Sequence, residues 1–377
     1  MRIVFHHRTG FGDAQAIHIQ GMVDAFRRQG HSVEIVSVAK RHRRPNANSG
    51  TERRRVNRFV FEVLTWLYNI YGYVVLKRAV RRSRADFIYE RLAANTLCGS
   101  WVSRRTGVPL IVESNGPMYM LGDFRFENIA RNIERQVCSN SHTTIAVSQV
   151  LADHLVNLGV PKSGIVVMPN GVDPSLFDAN LSGAPVREKY RIGCRIVAGF
   201  VGWLRDWHGI MELIDAVHEF ADIGPDVVFM IIGVGPALDA VKARVSAAGM
   251  EDRFIFTGAL VHEEIPGHIS AMDIALQPSA VEFACPMKIV EYMAMGRCIV
   301  APDQPNIREL LRDGEDSRLF PPDDFGALIK LVAELAKSKS ERESLGRRAL
   351  ASAQRQNLTW DHNAKRTVEL VGGAKKL

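Results

Sequence analysis

Residues 1–37 read MRIVFHHRTGFGDAQAIHIQGMVDAFRRQGHSVEIVS. Arg2 to Phe5 is a short apolar run, His6 to Asp13 is polar and glycine-bearing, and Ala14 to Gln29 places apolar residues at helical spacing. Gly30 then supplies a helix stop, and Ser32 to Val36 is again apolar and β-branched. Strand, loop, helix and strand in that order predict a βαβ opening, the unit from which parallel sheets are built.

The pattern continues outward from this opening. Asp86 to Tyr89, Pro109 to Val112, Thr143 to Val147 and Ile165 to Met168 are short apolar runs separated by helical or turn-rich sequence. Asn170-Gly-Val-Asp-Pro174 and the polar stretch from Asp178 to Pro185 interrupt the alternation with turn formers and predict a linker. Strands are expected again at Ile196 to Val201, Val227 to Ile232, Phe254 to Thr257, Ile274 to Gln277 and Cys298 to Ala301, with helices such as Ile210 to Phe220 and Ala237 to Ala248 between them. A chain of 377 residues with 46% apolar content suits two cores. The expected fold is α/β, with two Rossmann-like, doubly wound domains over 1–175 and 186–355. A final helix within 356–377 is expected to return to the first. Such a pair implies a cleft, with ligands at the carboxyl ends of the strands.

Charge and cysteines narrow the class. Between Lys40 and Arg84, thirteen Lys and Arg face only Glu52 and Glu62, so this segment carries +11 of a total of +7 and the remainder is acidic. A nucleic-acid binder that is basic throughout does not fit; contact with a local anionic surface does. The five cysteines are scattered without disulfide-framework or zinc spacing, and the N-terminus has no apolar run of signal-peptide length. A cytoplasmic location follows as the expectation.

Two stretches carry chemistry. Gly10-Phe-Gly12 follows the first strand, where a tight turn and helix-terminal amides can meet an anion. Gln15 stands where a dinucleotide fingerprint wants its third glycine, so Gly12 remains open between a plain turn and a loop that faces the cleft. In Pro286-Met-Lys-Ile-Val-Glu-Tyr-Met-Ala-Met-Gly296, Pro286 suits a helix start, Lys288 adds a cation in the first turn, and Glu291 offers a carboxylate one turn on. A phosphate near Lys288 and a ribose diol on Glu291 would define a nucleotide diphosphate. By spacing alone the two are equally a solvated i,i+3 pair.

The run from Pro286 to Gly296 has company: Phe200-Val-Gly-Trp-Leu-Arg-Asp-Trp-His-Gly209, Pro169-Asn-Gly-Val-Asp173, Ile232-Gly-Val-Gly-Pro236, Phe256-Thr-Gly258, Tyr89-Glu-Arg91, Glu113-Ser-Asn-Gly-Pro117 and Leu358-Thr-Trp360. Together they resemble the family 4 glycosyltransferases of GT-B fold. The resemblance implies retaining transfer from a nucleotide sugar, a UDP- or GDP-sugar, without an essential metal or other cofactor. It puts Glu291 on the ribose, basic groups on the diphosphate, and the glycine turns Gly202 and Gly233 at the donor. Many members carry an Arg and a Lys where this chain has Trp203 and His208, so Arg205, His208 and Lys288 become the diphosphate candidates. The family's sugar-binding glutamate falls on Phe283. Either the adjacent Glu282 substitutes, or backbone amides of Phe283, Ala284 and Cys285 hold the sugar, with Glu282 a solvated loop residue. Glu113 and Asn115 are the acceptor-side candidates, to orient a hydroxyl or to close a loop.

Phe59 to Leu76 is mostly apolar, and its exceptions Glu62, Thr65, Asn69 and Gly72 fall on one helical stripe between cationic flanks. This insert, within 40–84, is suited to an anionic membrane interface; the alternative is a domain helix whose apolar face packs on the sheet. The expected partners are thus a nucleotide sugar, a glycan or lipid-linked acceptor and a membrane surface, with no nucleic acid. An epimerase or phosphorylase of the same fold and a non-enzymatic binder are the rival readings.

Overall fold

The computed structural model describes residues 1–8, 14–37, 58–121, 124–220, 223–224 and 226–373. The chain forms two compact units, the first of Met1–Asn170, Phe283–Cys285 and Trp360–Leu377, the second of Gly171–Glu282 and Pro286–Thr359.

Unit 1 runs β1 (Arg2–His7), α1 (Ala14–Arg28), β2 (Ser32–Ser37), α2 (Arg58–Ser83), β3 (Phe87–Arg91), α3 (Cys98–Thr106), β4 (Leu110–Ser114), α4 (Met118–Leu121), α5 (Glu127–Asn140), β5 (Thr143–Ala146), α6 (Gln149–Asn157) and β6 (Ile165–Val167). Its six strands are parallel in the order β2-β1-β3-β4-β5-β6. Helices cover both faces of the sheet, so β3, β4 and β5 are buried at every position although they carry Glu90, Arg91, Glu113, Thr143 and Thr144.

Unit 2 runs α7 (Ala184–Lys189), β7 (Ile196–Val201), α8 (Ile210–Glu219), β8 (Val227–Ile232), α9 (Leu238–Ala247), β9 (Phe254–Gly258), α10 (Ile265–Ser270), β10 (Ile274–Leu276), α11 (Met287–Ala294), β11 (Cys298–Pro302), α12 (Pro305–Arg308), β12 (Arg318–Phe320), α13 (Phe325–Lys337) and α14 (Lys339–Arg355). The parallel order is β12-β11-β10-β7-β8-β9. The chain therefore builds outward from β7 through β8 and β9, then crosses to the other side of β7 with β10. Such a reversal leaves a crevice outside the carboxyl ends of the two strands that flank it.

The last helix, α15 (Trp360–Gly373), belongs to unit 1 and packs on α1. A Cβ at Gly21 would lie 2.6 Å from Trp360 Nε1, so only glycine admits the indole there. Trp360 also meets the His18 ring edge-on at 4.7 Å.

Three expectations need correction. His6 and His7 continue β1 instead of opening a loop, paired with Val36 and Ser37 of β2 and both buried. A polar residue survives in a buried strand when its polar atoms are met. His6 Nδ1 lies 2.5 Å from Glu90 Oε2 and Nε2 lies 2.8 Å from the Tyr68 hydroxyl. His6, Glu90 and Cys98 are close enough to share a cation, but these hydrogen bonds already engage both imidazole nitrogens. β12 escaped the sequence reading because Arg318-Leu-Phe320 is as short as β6 and β10 but opens on a charged residue, so it shows no apolar run.

The third concerns the alternative expected for α2, an apolar face packed on the sheet, because its polar stripe faces inward. Glu62, Thr65 and Asn69 are buried, while Phe61, Leu64, Leu67, Ile70 and Tyr71 are exposed. Helix packing explains the inversion. Glu62 accepts the backbone N–H groups of Arg125 (2.5 Å) and Phe126 (3.2 Å), just ahead of α5, and Asn69 Oδ1 accepts those of Leu97 (2.6 Å) and Cys98 (3.1 Å), at the start of α3. Side chains of α2 thus satisfy the orphan donors of two other helices. The alternative of an apolar face packed on the sheet holds only toward the C-terminal end, where Leu76, Ala79 and Val80 are buried.

Candidate functional site

The crossing point of unit 2 gathers the donor candidates. Gly202 leaves β7, and its N–H donates to the Ile232 carbonyl at 3.0 Å. Gly233 follows β8 with φ +125°, and a Cβ there would meet the Gly202 carbonyl oxygen at 2.1 Å. Glycine at 233 is thus required by the close approach of two turns, both conformationally and sterically.

The α11 helix follows the loop that leaves β10, and Tyr292 fixes it to both strands. The buried Tyr292 hydroxyl accepts the Val201 N–H at 2.9 Å and donates to the Leu276 carbonyl at 3.5 Å, joining the ends of β7 and β10. This residue stands inside the quoted motif, but nothing in its spacing announced the role. Its neighbour Glu291 is 8% exposed. Burial pushes the Glu291 carboxyl up to about 7, with Lys288 pulling the other way.

Lys288 extends from the first turn of α11 over the buried Phe200 ring, with Nζ 4.3 Å from its centroid. A Cβ on Gly202 would lie 3.2 Å from that Nζ, so the absent side chain is what leaves room around the ammonium. Burial lowers the Lys288 pKa to about 7, opposed by Glu291. The two are therefore not a solvated pair: each is desolvated, and neither fully offsets the other.

His208 completes the wall. Burial and then Lys288 lower its pKa to about 3, against a hydrogen bond with the Trp203 backbone, so the imidazole is neutral at pH 7. Its Nδ1 lies 3.4 Å from the Arg205 N–H as acceptor, and the ring sits 5.4 Å from Phe200. Arg205 is exposed and stacks its guanidinium 4.9 Å over Trp207. Gly202, His208, Lys288 and Glu291 thus come together, with Gly233 behind Gly202 and Arg205 at the exposed side.

The segment before α11 divides. Glu282 is exposed in unit 2, whereas Phe283–Cys285 belongs to unit 1. There Ser148 Oγ donates to the Phe283 carbonyl at 2.7 Å and Asn170 Nδ2 to the Cys285 carbonyl at 2.7 Å. Ala284 lies between these anchors, so backbone geometry is set across all three residues.

Glu113, at the end of β4, is 2% exposed. Tyr89 Oη donates to its Oε2 at 2.5 Å, and Oε1 accepts from Arg91 (3.1 Å), Asn115 (2.5 Å) and His18 Nε2 (3.1 Å). Arg91 also lies 2.8 Å from His18 Nδ1, which assigns the neutral tautomer with its proton on Nε2. Burial agrees, lowering the His18 pKa to about 4. Burial alone would raise the Glu113 carboxyl, but His18, Arg91 and the Tyr89 and Asn115 donors outweigh it and hold it below its ordinary value. The adjoining cavity of about 10 Å3, lined in part by His18, Tyr89 and Glu113, is the size of one water. Glu113 is the hub of a closed polar network; Asn115, half-buried, is its outermost member. Gly12 lies outside the described residues.

Comparison with known proteins matches each unit. The family described as Glycosyltransferase Family 4 matches residues 15–176, and that described as Glycosyl transferases group 1 matches 195–338. The 2-deoxystreptamine glucosyltransferase of Streptomyces kanamyceticus is 39% identical over 220 residues, 54% of this chain and 56% of the relative. This and two further Streptomyces relatives are matched over 56% to 66% of their own length. The GDP-mannose-dependent alpha-(1-6)-phosphatidylinositol monomannoside mannosyltransferase of Mycolicibacterium smegmatis is 24% identical over 308 residues, 80% of each chain. Among solved structures, sucrose-phosphate synthase of Thermosynechococcus elongatus superposes with a TM-score of 0.78 at 16% identity, covering 100% of this chain and 99% of that one. Anabaena HepE, in complex with UDP and glucose, superposes at 0.74 with 18% identity, covering 98% and 99%. With one family match on each unit and the same two-sheet α/β architecture in its structural neighbours, the chain belongs to the family 4 glycosyltransferases of GT-B fold.

Proposed function

We propose that the chain is a retaining glycosyltransferase that takes a sugar from a nucleotide diphosphate donor and passes it to a hydroxyl of a glycan or lipid-linked acceptor, in polysaccharide or glycoconjugate synthesis. One observation carries the reading: a desolvated cation, Lys288, and a desolvated carboxylate, Glu291, share one helix at the crossing point of unit 2, beside a turn kept open by Gly202. A ligand with an anionic part and a vicinal diol would relieve both costs. A nucleotide diphosphate has both, the diphosphate for Lys288 and Arg205, the ribose for Glu291. His208, uncharged, offers a hydrogen bond rather than a countercharge.

In the transfer, the bond from the anomeric carbon to the diphosphate oxygen breaks as the acceptor oxygen attacks from the same face. The acceptor's proton passes to the departing diphosphate oxygen. Lys288 and Arg205 lower the barrier by meeting charge that grows on the leaving group, without a resident metal. The sugar is gripped through Glu282 or through backbone amides of Phe283, Ala284 and Cys285. On the acceptor side we assign Glu113 to positioning, because its oxygens are taken, and Asn115 to orienting the hydroxyl.

The names of the relatives support a hexosyl donor: one is a glucosyltransferase, another is GDP-mannose-dependent, and HepE is also solved with UDP-glucose. The test is incubation with UDP-glucose or GDP-mannose and aminocyclitol, glycan or lipid acceptors. Mass spectrometry identifies the product, and NMR gives its anomeric configuration. The reading expects an acceptor-dependent α-glycoside from an α-linked donor. An inverted linkage contradicts retention, and turnover that consumes inorganic phosphate makes the chain a phosphorylase.

A further inference from the structure

The outer face of α2 is left unexplained by sugar transfer. Outward positions recur at Val60, Leu64, Leu67, Tyr71, Val74, Arg78 and Arg81, so the exposed stripe is apolar for its first four turns and cationic in its last. From Val60 to Val74 it runs about 21 Å. Phe61 and Ile70 widen it, and Ile70 is 65% exposed. Soluble helices turn their apolar stripe inward; here the inner face is committed through Glu62 and Asn69 to capping α5 and α3.

Next to this stripe, α3 approaches α2 closely enough that a Cβ at Gly72 would lie 2.8 Å from Cys98 Sγ. A groove of about 520 Å3 opens between the two helices, lined by Ile70, Tyr73, Trp101, Arg104 and Arg105. Its floor is apolar, and exposed Arg104 and Arg105 stand at its edge. Tyr73 is bracketed by Lys77, whose Nζ donates to the Tyr73 hydroxyl at 3.1 Å.

We infer that this face of unit 1 is a docking surface for an anionic lipid bilayer. The helix α2 lies in the interface with its apolar stripe toward the acyl chains, and the groove holds a lipid whose negative headgroup meets Arg104 and Arg105. Charge complementarity selects this occupant. Amphipathic helices that lie in a bilayer surface combine such apolar faces with cations and aromatic rings, and anionic headgroups attract neighbouring Arg and Lys. In length and composition α2 could cross a bilayer. Crossing would pull Glu62 and Asn69 from the helix ends they cap and leave those donors unmet, so the helix lies on the bilayer and does not span it. The inference goes beyond the donor reading and stands without it.

Flotation of the full chain with vesicles of equimolar phosphatidylcholine and phosphatidylglycerol, against phosphatidylcholine alone, provides the test. Recovery with the anionic vesicles is expected to exceed recovery with neutral ones and to fall with salt. Leu67→Glu with Ile70→Glu is expected to lower partitioning at least about tenfold. Arg104→Glu with Arg105→Glu is expected to lower it about tenfold on anionic vesicles only. All four positions are exposed, so unchanged thermal melts separate lost binding from lost folding. Equal recovery on both vesicle types, or variants that float like the parent, overturns the inference. So does self-association that the Leu67→Glu, Ile70→Glu variant abolishes in protein that never floats, which would make a second copy the occupant. Resistance of the bound chain to alkaline carbonate overturns it as well, by making α2 a span.

Discussion

The Tyr292 hydroxyl accepts the Val201 N–H at 2.9 Å and thereby fastens α11 to the end of β7. The same hydroxyl reaches the Leu276 carbonyl at the end of β10, so one side chain closes the point where the sheet order reverses. Every donor candidate on α11 depends on this attachment for its place.

Tyr292→Phe is expected to leave the buried Val201 N–H unmet and to destabilise unit 2 by about 1–3 kcal/mol. Denaturant unfolding measures it. Nucleotide affinity is expected to weaken as well, because α11 loses its anchor; unchanged stability would mean that the hydroxyl is dispensable.

The unliganded protein is expected to pass through a stability minimum near pH 7 that comes from its donor site. Glu291, raised from 4.5 to about 7, holds a proton when folded that the unfolded chain releases, so stability falls as pH rises across that window. Lys288, lowered from 10.5 to about 7, is protonated in the unfolded chain above pH 7 and neutral in the folded one, so stability rises across its window. Comparing unfolding free energies of the parent and Glu291→Gln from pH 4.5 upward isolates the first limb, which the variant is expected to lose.

Affinity for a nucleotide diphosphate is expected to fall as pH rises above about 7, by up to tenfold per unit, because binding then requires Lys288 to take up a proton. Calorimetry in buffers of different ionisation enthalpy reads the uptake directly. Lys288→Arg, charged throughout, is expected to flatten the profile.

Arg205 and His208 are expected to separate. Arg205→Ala removes a permanent charge from the diphosphate and is expected to cost about tenfold or more in affinity. His208 stays neutral down to a pKa of about 3, so His208→Gln is expected to remain within about threefold of the parent and to leave the pH profile unchanged.

In unit 1, Glu113→Gln is expected to destabilise by about 3–5 kcal/mol, since it leaves the buried Arg91 without its countercharge. Hydrogen exchange on β3 and β4 should rise together with the loss. A variant as stable as the parent but inactive would instead make Glu113 a catalytic group.

Much of the fold was legible because buried parallel strands are continuous apolar runs, as in Val227 to Ile232, and because Gly30 marks a boundary where it must. His6 and His7 were misread since polarity in a strand is explained by partners that lie far along the chain, here Glu90 and Tyr68 for His6 and Ser37 for His7. The same distance hid the inversion of α2: periodicity placed Glu62 and Asn69 on one stripe, but only α3 and α5 decide that the stripe faces in. At the site, the motif put Lys288 and Glu291 on one helix, where α11 carries them. Tyr292 was not, because its role consists of bonds to the ends of two strands, and Glu113 could not be told from a free carboxylate until its four donors were in place.

On the proposed reading, α11 and the Gly202 turn bind a nucleotide diphosphate, with Glu291 on the ribose. Calorimetric titration of the protein with UDP and with GDP, repeated on Glu291→Ala, measures it most directly. One of the two is expected to bind, and Glu291→Ala is expected to raise its Kd at least about tenfold, the loss of charged hydrogen bonds to two hydroxyls. Binding of neither nucleotide, or a Kd unchanged by Glu291→Ala, would contradict it.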